Sequence, residues 1–352
     1  MRYPPLVQAI VVHHRGSHLL ADCLGSLLDS QGVRVEVVVV ANACEEPLPE
    51  IVERDSRVHV VSAPRSLGFA AANNLGVRWA RANLAPPDAL YFVNNDTVTE
   101  APALAALWSV LDSAPACGIV GPELVIQGAE HLLNSLGLKV TEVGEAWDDG
   151  IGRPVTEFPA KLAPDEVLAV TGSALLVLPK AFDEVGEWSE IYGFYYEDID
   201  LCLKARSHGW TVLVTRDAVV RHAISATSDE ISDFKRHLSW RNQFLLLTVH
   251  WPLPLLAKVL PRLVAAQLWT FVQRVRLKAY GHARLQARAW AGALAILPKA
   301  LVARRRIGPG KEWARLLQPP GSVPNISLPR RRPGASAAQS PRRLAAKERS
   351  TR

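Results

Sequence analysis

The sequence contains only four cysteines among its 352 residues, namely Cys23, Cys44, Cys117 and Cys202. They are far apart, and no two of them stand at the C-x-x-C spacing of a zinc or redox pair. This scarcity argues against a structural zinc site and against a disulfide framework, and it fits a reducing compartment. We therefore expect a cytoplasmic protein.

Long uncharged apolar runs are also missing. The N-terminus has no charged segment followed by a long apolar run, so "LVQAIVV" is interpreted as a buried strand rather than a signal peptide. Between 244 and 302, charges such as Lys258, Arg262 and Arg274 interrupt the apolar residues before any run reaches about 18 positions. This pattern predicts that no helix spans a membrane.

The segment 262–280, "RLVAAQLWTFVQRVRLKAY", has a basic side and an aromatic side. Two interpretations remain open: a helix that lies in a membrane interface, and a helix that packs on the rest of the protein. The first would make the protein peripheral on the inner face of the cell membrane, with a membrane surface as a partner. Basic residues near the C-terminus would add attraction to anionic lipid.

Acidic residues are scarce at one end of the chain. The net charge is +6, yet the residues from Leu301 onward include thirteen Lys or Arg and two Asp or Glu, a local balance of +11. The first 300 residues therefore carry −5. Since nucleic-acid enzymes normally carry positive charge around their cleft, an acidic body with a basic tail argues against a nucleic-acid partner.

Two common phosphate-binding loops are absent as well. The small-residue stretch "SLGFAAANNLG" (66–76) does not match G-x-G-x-x-G, and no G-K-[ST] follows it as in a P-loop. Its small side chains favour either tight packing of the loop on a helix or close approach of a nucleotide to the backbone.

Strand and helix patterns alternate over the first 120 residues. Such alternation predicts an α/β fold, a Rossmann-like and mostly parallel sheet with flanking helices. The predicted strands are 6–12, 33–41, 58–63 and 88–96, and the predicted helices are 17–30, after a serine cap, and 70–84. Because ligands bind outside the carboxyl ends of such strands, "HHRG", "ANACEE" and "NNDT" are expected to share one rim.

The remainder of the chain divides by composition. Residues 1–230 are predicted to be one domain with halves of about 1–115 and 116–230, the second including a strand-turn-strand "VLAVTGSALLVLP". Residues 231–318 are predicted to be helical. Residues 319–352 are rich in Pro, Ser and Arg with little to bury, and they are predicted to be a disordered basic tail.

The stretch "FYYEDIDLC" (194–202) crowds Glu197, Asp198 and Asp200 behind three aromatic residues. The following residues end in Lys204, Arg206 and Gly209, the charge order of a helix that compensates its dipole. Asp198 is then either a simple helix cap or a positioned general base at the edge of a pocket.

"VNNDT" (93–97) places Asp96 at the end of a buried strand. Asn94, Asn95 and Asp96 are ordinary turn-forming residues at such a position. Alternatively, Asp96 ligates Mg²⁺ or Mn²⁺, which bind one or two carboxylates together with phosphate oxygens.

The order of these motifs carries a resemblance. "VVHHR", "VVVVANA", "LGFAAANNLG", "FVNNDT", "TGSALLV", "YEDIDLCLKARSHGW", "RHAISATS" and "WRN" follow one another. Over about residues 6–250 the chain resembles the family 2 inverting glycosyltransferases of GT-A fold, especially their bacterial rhamnosyltransferase-like branch.

The resemblance implies a role for each matched residue. Asp198 would be the base that deprotonates the acceptor hydroxyl, and Glu197 would help set the position and charge of the pair. Asp96 would hold Mg²⁺ or Mn²⁺ on the donor diphosphate, with His222 near it. The further expected sites are Arg15, Asn42, Gly68, Asn73 and Asn95 for the donor, and Gly172, Ser173 and Tyr196 for the acceptor.

The implied activity is transfer of a sugar, rhamnose in the matched branch, from a nucleotide-diphosphate sugar to a glycan or lipid-linked hydroxyl of the cell surface. The sequence departs from the family where an aspartate usually reads the base, since Ala41 stands there, followed by Asn42. A nucleotide-sugar-binding protein with degraded catalysis is therefore the second hypothesis. A nucleic-acid- or membrane-binding module acting through the basic tail is the third.

Overall fold

A computed structural model describes residues 3–159, 163–224, 233–307 and 312–324. The described residues form strands β1 Leu6–His13, β2 Arg34–Asn42, β3 Val58–Ala63, β4 Ala89–Asn94, β5 Thr97–Thr99, β6 Cys117–Ile126, β7 Ala129–Ser135, β8 Leu138–Val140, β9 Ala146–Asp148, β10 Asp165–Glu166, β11 Ala174–Val177 and β12 Thr211–His222. The helices are α1 Ser17–Leu28, α2 Ile51–Arg54, α3 Phe69–Asn83, α4 Ala103–Ser113, α5 Pro179–Val185, α6 Glu197–Ser207, α7 Asp233–His250, α8 Leu253–Arg276 and α9 Tyr280–Ile307.

One large sheet organises the described residues. Its order is β10-β12-β6-β11-β4-β1-β2-β3, with β5 added beside β12 and β7 beside β6. The four strands β3, β2, β1 and β4 are parallel, whereas β11 lies antiparallel between β4 and β6. The predicted Rossmann-like α/β fold is confirmed, and β11 brings the turn before it beside the end of β4.

The central strands are mostly apolar because both of their faces are buried. In β2, Val38 and Val40 belong to one hydrophobic cluster, whereas Val37 and Val39 belong to the cluster on the opposite side of the sheet. Successive side chains of a strand point to opposite faces, so this continuous run of valines serves two cores at once.

Two local predictions are wrong. Ser17 does not cap α1: Gly16 is the N-cap, with φ of 88°, and the Glu46 carboxylate accepts the N–H groups of Gly16 and Ser17 at 2.8 and 3.0 Å. In "VLAVTGSALLVLP", residues 174–177 form β11, but residues 167–173 form no strand. They lead instead into the turn that contains Gly172.

The predicted helical region after residue 231 is confirmed within the described residues, with different bounds. The amphipathic segment 262–280 is not one helix, because α8 ends at Arg276 and Lys278 has a φ of 58° in the turn that follows. The proposed domain boundary at 230 and the tail beyond 324 lie outside the described residues.

The expectation about membrane spans also needs correction. The helix α8 has 24 residues, and its most apolar 18-residue window has a mean hydropathy of 1.4, so it is long and apolar enough to cross a membrane by length and composition. Only 11% of its most apolar window is buried inside the protein. The most apolar window of α8 reaches this hydropathy although it contains two charged residues, Lys258 and Arg262.

Candidate active site

The carboxyl ends of β1, β2 and β4 meet at one rim, as predicted. The amide of Asn95 lies 2.9 Å from Nδ1 of His13 and donates to the carbonyl of Arg15 at 3.0 Å. The ring of His14 lies 2.9 Å from the carbonyl of Asn42. Asn95 therefore fastens the loop after β1, whereas the side chain of Arg15 remains exposed at this rim.

Asn42 supports the rim through the backbone of a neighbouring loop. Its amide donates to the carbonyl of Leu67 at 2.9 Å, and its Oδ1 accepts the N–H of Leu67 at 2.7 Å. Both polar atoms of Asn42 are thus engaged with protein. The next residue, Gly68, packs so closely that an added Cβ would lie 2.8 Å from the carbonyl oxygen of Gly193. The loop expected to approach the donor therefore touches the segment that leads to the acid cluster.

The two asparagines of α3 are buried. The amide of Asn73 donates to the carbonyl of Phe69 within the same helix at 3.0 Å. Asn74 instead bonds both the N–H and the carbonyl of Trp188, at 3.1 and 3.0 Å. The structure therefore does not bring the Asn73 side chain to the surface of the rim, and Asn74 is the cross-link that the sequence did not single out.

Asp96 and His222 face each other at the end of β4. Nε2 of His222 lies 3.3 Å from Oδ1 of Asp96, and Nδ1 of His222 lies 2.6 Å from Oδ1 of Asn134. Because Oδ1 of Asn134 can only accept, Nδ1 carries a proton, and Nε2 is the ring nitrogen that faces Asp96. A ring nitrogen and a carboxylate oxygen in this position fit a divalent cation, which would bind Nε2 in place of a proton.

The protein supplies few ligands to such a cation. Within the described ranges, no cluster of three or more His, Cys, Asp or Glu residues could hold a metal ion. Neither Asn94 nor Asn95 supplies a carboxylate, and the Asn95 amide is committed to the loop after β1. A cation bound by Asp96 and His222 would need further oxygen ligands from a phosphate or from water. A nitrogen ligand suits Mn²⁺ better than Mg²⁺.

The three acids of "FYYEDIDLC" have different surroundings. Glu197 and Asp200 are buried, at 7% and 1% exposure, whereas Asp198 is partly exposed. The carboxylate of Asp200 accepts from Ser189 at 2.5 Å and lies 2.8 Å from His250 Nε2 and 3.5 Å from Lys204 Nζ. Burial alone would raise the pKa of Asp200, but Lys204 and His250 outweigh it and lower the pKa to about 2. Asp200 is therefore part of a buried ion cluster.

Asp198 is held against the turn before β11. Its Oδ2 accepts the N–H of Gly172 at 3.0 Å, and its Oδ1 accepts the N–H of Ile199 at 2.8 Å. It does not cap α6, since the N-cap is Tyr196. Burial raises the pKa of Asp198, although the N–H groups of Gly172 and Ile199 oppose the shift. A positioned carboxylate with a raised pKa suits a general base.

The surroundings of Glu197 favour its protonated form. Burial raises its pKa well above the usual value, and the adjacent charge of Asp198 adds to the shift. Its Oε2 is buried without a hydrogen-bond partner in the structure. Both effects disfavour a second negative charge beside Asp198.

The loop before α6 is strained and clamped. Tyr195 and Tyr196 have φ angles of 67° and 73°, a conformation that costs bulky residues energy. The amide of Asn242 lies within 3.0 Å of the carbonyls of Tyr192, Phe194 and Tyr195. This clamp belongs to the "WRN" motif, which contributed to the resemblance but was not assigned to the site.

The acceptor-side residues lie between the acid cluster and β4. The backbone N–H of Asn94 donates to the carbonyl of Ser173 at 3.0 Å, and its amide lies 3.4 Å from Oγ of Ser173. The hydroxyl of Tyr196 donates to the carbonyl of Gly144 at 3.0 Å, which fixes this partly exposed ring. The structure thus joins the turn 171–173 both to the Asp96 strand and to Asp198.

Asp148, at the end of β9, is an acid near the candidate site that the sequence analysis did not single out. Its Oδ1 is buried without a hydrogen-bond partner in the structure. Burial raises the pKa of Asp148 to about 6; Ser135 opposes the shift, the charge of Asp198 adds to it, and His222 opposes it. Asp148 therefore lies within electrostatic range of both Asp198 and His222. The sequence "WDDG" does not distinguish its two acids. In the structure Asp149 is a surface partner of Lys139 at 2.8 Å, whereas Oδ1 of Asp148 is buried.

Comparison with known proteins gives a family match. Residues 4–242 match the family described as glycosyltransferase like family 2. A low-salt glycan biosynthesis hexosyltransferase, Agl10, of Haloferax volcanii is 24% identical over 60% of this chain and 66% of its own length. A dTDP-rhamnosyl transferase, RfbF, of Shigella flexneri is 26% identical over 60% of this chain and 70% of its own length. The matched region thus spans about two thirds of each relative.

Solved structures share the fold at lower identity. A crystal structure of GalNAc-T7 with UDP, GalNAc and Mn²⁺ superposes with a TM-score of 0.57 at 14% identity, covering 72% of this chain and 49% of that one. The mannosyltransferase PcManGT of Pyrobaculum calidifontis, in complex with GDP-Man and Mn²⁺, gives 0.52 at 18% identity, covering 86% and 88%.

Proposed function

This chain belongs to glycosyltransferase family 2, and from that membership we propose that it transfers a hexose from a nucleoside-diphosphate sugar to an acceptor hydroxyl with inversion at the anomeric carbon. Rhamnose is the proposed sugar, because one relative is named a dTDP-rhamnosyl transferase. The proposed acceptor is a cell-surface glycan or a lipid-linked sugar, and the proposed location is the cytoplasm, at the inner face of the membrane.

Asp198 is the proposed general base, and its environment is the observation that carries the proposal. It is the partly exposed member of the acid cluster, its pKa is raised, and Gly172 orients it. From this position it would accept the proton of the acceptor hydroxyl as the oxygen attacks the anomeric carbon. A single displacement of this kind inverts that centre, because no enzyme group becomes bonded to the sugar.

Asp96 and His222 are the proposed holders of the donor diphosphate through a divalent cation. Their facing oxygen and nitrogen atoms, 3.3 Å apart, support this assignment. The two superposed structures contain Mn²⁺ with UDP and with GDP-Man respectively, which agrees with a cation of this class. Such a cation would neutralise the charge that develops on the departing diphosphate.

The remaining donor contacts are proposed from position. Arg15 is exposed at the rim and is free to reach a base or phosphate, whereas Asn42, Asn95 and Gly68 would act by shaping the surrounding loops. Asn73 would contribute only indirectly, by its hydrogen bond to Phe69 within the first turns of α3. Tyr196 and the turn containing Ser173 would contact the acceptor sugar.

Asp198→Asn tests the proposal. Asparagine preserves size and can still accept one of the two backbone N–H groups that Asp198 holds, so we expect kcat to fall by roughly 10²–10⁴-fold, the usual contribution of a general base, with unchanged donor affinity. Asp183→Asn is the control, because Asp183 is an exposed acid on α5 that pairs with Arg81. Full turnover by Asp198→Asn would remove the assignment. The anomeric configuration of the product, read by NMR, tests inversion separately.

A nucleotide-sugar-binding protein with degraded catalysis is the second candidate. Ala41 and Asn94 favour it, since Ala41 replaces the aspartate that usually reads the base and Asn94 stands where the D-x-D motif of the family has its first aspartate. The two candidates differ in one measurement. Donor binding by calorimetry without transfer or donor hydrolysis, across a panel of acceptors, would favour the second.

A further inference from the structure

We propose that α8 and the turn after it form a docking surface for an anionic phospholipid bilayer, on which the helix lies parallel to the membrane. The surface consists of the outward side of α8, residues 253–276, and the turn 277–280. This inference deepens the proposed function in one respect, the membrane location, and lipid binding can be tested without turnover.

The first observation is an apolar stripe on the outward side of α8. Leu260, Val264, Leu268, Val272 and Val275 follow one another at spacings of four, four, four and three residues, which keeps them on one side of a helix. Each is exposed by 38–51%. Soluble proteins rarely leave such a continuous apolar stripe in water.

The side of α8 that packs on the protein borders the stripe. Val259 and Leu263 are buried there, and the ring of Phe271 lies 5.3 Å from that of Trp290 in α9. The buried amide of Gln286, also in α9, donates to Oε1 of Gln267 at 2.6 Å. These contacts fix the rotation of α8, and they leave the stripe exposed beside the packed side.

The second observation is charge. Residues 253–307 include eleven Lys or Arg and not one Asp or Glu. On a helical projection, Arg262 and Arg276 lie along one flank of the stripe, together with Trp269, which is 64% exposed. An apolar stripe beside exposed arginine and tryptophan is the pattern of a helix in the interface of a bilayer. The charge is complementary to anionic lipid headgroups.

The packing of α9 favours a helix that lies on the membrane over one that crosses it. The helix α9 runs back from the turn and packs along α7, and Arg304 in α9 donates to the carbonyls of Thr248 and Trp251 at 2.8 Å each. Trp251, just before α8, is fully buried in the body. Both ends of the α8–α9 pair are therefore held on the same side, so α8 cannot cross while α9 remains docked.

Sedimentation of the full-length chain with vesicles tests the proposal. The vesicles contain phosphatidylcholine alone or phosphatidylcholine with phosphatidylglycerol, at low and high salt. We expect binding only with phosphatidylglycerol, weaker at high salt. The double variant Arg262→Gln/Arg276→Gln should bind about 30-fold more weakly, as expected for two basic residues near such a surface. Arg54→Gln/Arg153→Gln removes the same charge from exposed residues elsewhere and should bind normally.

A second pair of variants tests the apolar stripe. Leu268→Ser/Val272→Ser should lose binding at both salts, whereas Leu268→Ile/Val272→Ile keeps the stripe apolar and should retain it. Circular dichroism checks that all variants fold. Binding by the serine and glutamine variants equal to that of the unchanged protein would overturn the proposal. A second result would also overturn it: the unchanged protein is a dimer in the absence of lipid, and the serine variant is a monomer. The stripe would then join two copies of the chain.

The same samples separate this inference from the proposed function. Turnover on a soluble acceptor should be equal in all these variants, because the substituted residues lie outside the proposed active site. Lipid binding without any turnover would leave the docking surface intact and overturn the reaction. Turnover without lipid binding would do the reverse.

Discussion

At the scale of single residues, neighbouring carboxylates on one helical turn differ in pKa because each has different surroundings. Burial and the charge of Asp198 raise the pKa of Glu197 and favour its protonated form. Asp198 meets backbone N–H groups and solvent. Asp200 meets Lys204 and His250, which lower its pKa to about 2. A run of acids that looks redundant in the sequence therefore separates into a buried acid whose protonated form is favoured, a candidate base and a structural ion.

Asp200→Asn is expected to destabilise the fold by roughly 3–5 kcal/mol at neutral pH, because it leaves the buried Lys204 without its charged partner. The pKa of Asp200 is lowered from 3.8 to about 2. Its contribution is therefore present above about pH 4 and is lost as the pH falls toward 2. Urea unfolding at several pH values measures this. Asp198→Asn, two positions away, should change stability little, and equal losses in both variants would contradict the ion cluster.

Asp148→Asn is expected to stabilise the protein at pH 7.5. The pKa of Asp148 is raised from 3.8 to about 6, so the folded state binds this proton more tightly than the unfolded state does. Its cost to stability appears as the pH rises from about 4 to 6 and is complete above that range. The gain in Tm should vanish near pH 4. Asp149→Asn, which breaks a surface pair with Lys139, is the control and should show no such gain.

At the scale of elements, α7 holds the acid-bearing loop in a conformation that the loop would not adopt alone. Two consecutive tyrosines with positive φ precede α6, and Asn242 satisfies the carbonyls that this conformation turns toward α7. The guanidinium of Arg241 donates to the carbonyl of Tyr192 as well. The position of Asp198 thus depends on a helix about 45 residues further along the chain.

Asn242→Ala should lower kcat by about 10²-fold, since a displacement of about 1 Å at a catalytic group can cost that much. Donor affinity should change little, because Asp96 and His222 lie outside this loop. Steady-state kinetics with calorimetry separates the two effects. Asn83→Ala is the matched control, since its exposed amide only donates to Trp79 in its own helix. A loss of donor affinity equal to the loss of kcat would contradict a role limited to the loop.

Elements buried on both faces could be predicted from the sequence, because a continuous apolar run such as 37–41 has few alternative structures. The order of the motifs also gave the family. Contacts between distant segments could not be predicted: Glu46 supports α1 from 29 positions away, and Asn242 clamps a loop 47 positions before it. Asp148 was not singled out for the same reason, since only the fold brings it near Asp198.

At the scale of the whole molecule, ligand binding should be visible as global stabilisation. A donor diphosphate held with Mn²⁺ by Asp96 and His222 would bind the folded state alone. The expected gain is about 2.7 kcal/mol when the ligand is present at about 100 times its Kd. This stabilisation requires the folded state, because only the folded sheet brings Asp96, after the end of β4, together with His222, at the end of β12.

Thermal unfolding with a panel of nucleoside diphosphates and Mn²⁺ measures this stabilisation. Asp96→Ala should abolish it while leaving the Tm of the free protein nearly unchanged. His222→Ala should abolish it as well and lower the Tm, because the buried Oδ1 of Asn134 loses its donor. Asp217→Ala, an exposed residue of the same strand as His222, should respond like the unchanged protein. An undiminished response from Asp96→Ala would remove Asp96 from the site.

The antiparallel insertion of β11 bears on how such a protein can change in evolution. Because β11 is hydrogen-bonded directly to β4, the interval between Asp96 and the Gly172 turn is set by strand spacing, about 4.8 Å, and not by a hinge. Substitutions on the β1–β3 side of the sheet leave that interval untouched. Ala41 in β2, a position where this chain departs from its family, lies on that side. A new nucleotide specificity can therefore arise there without a change in the distance between Asp96 and the turn that positions Asp198.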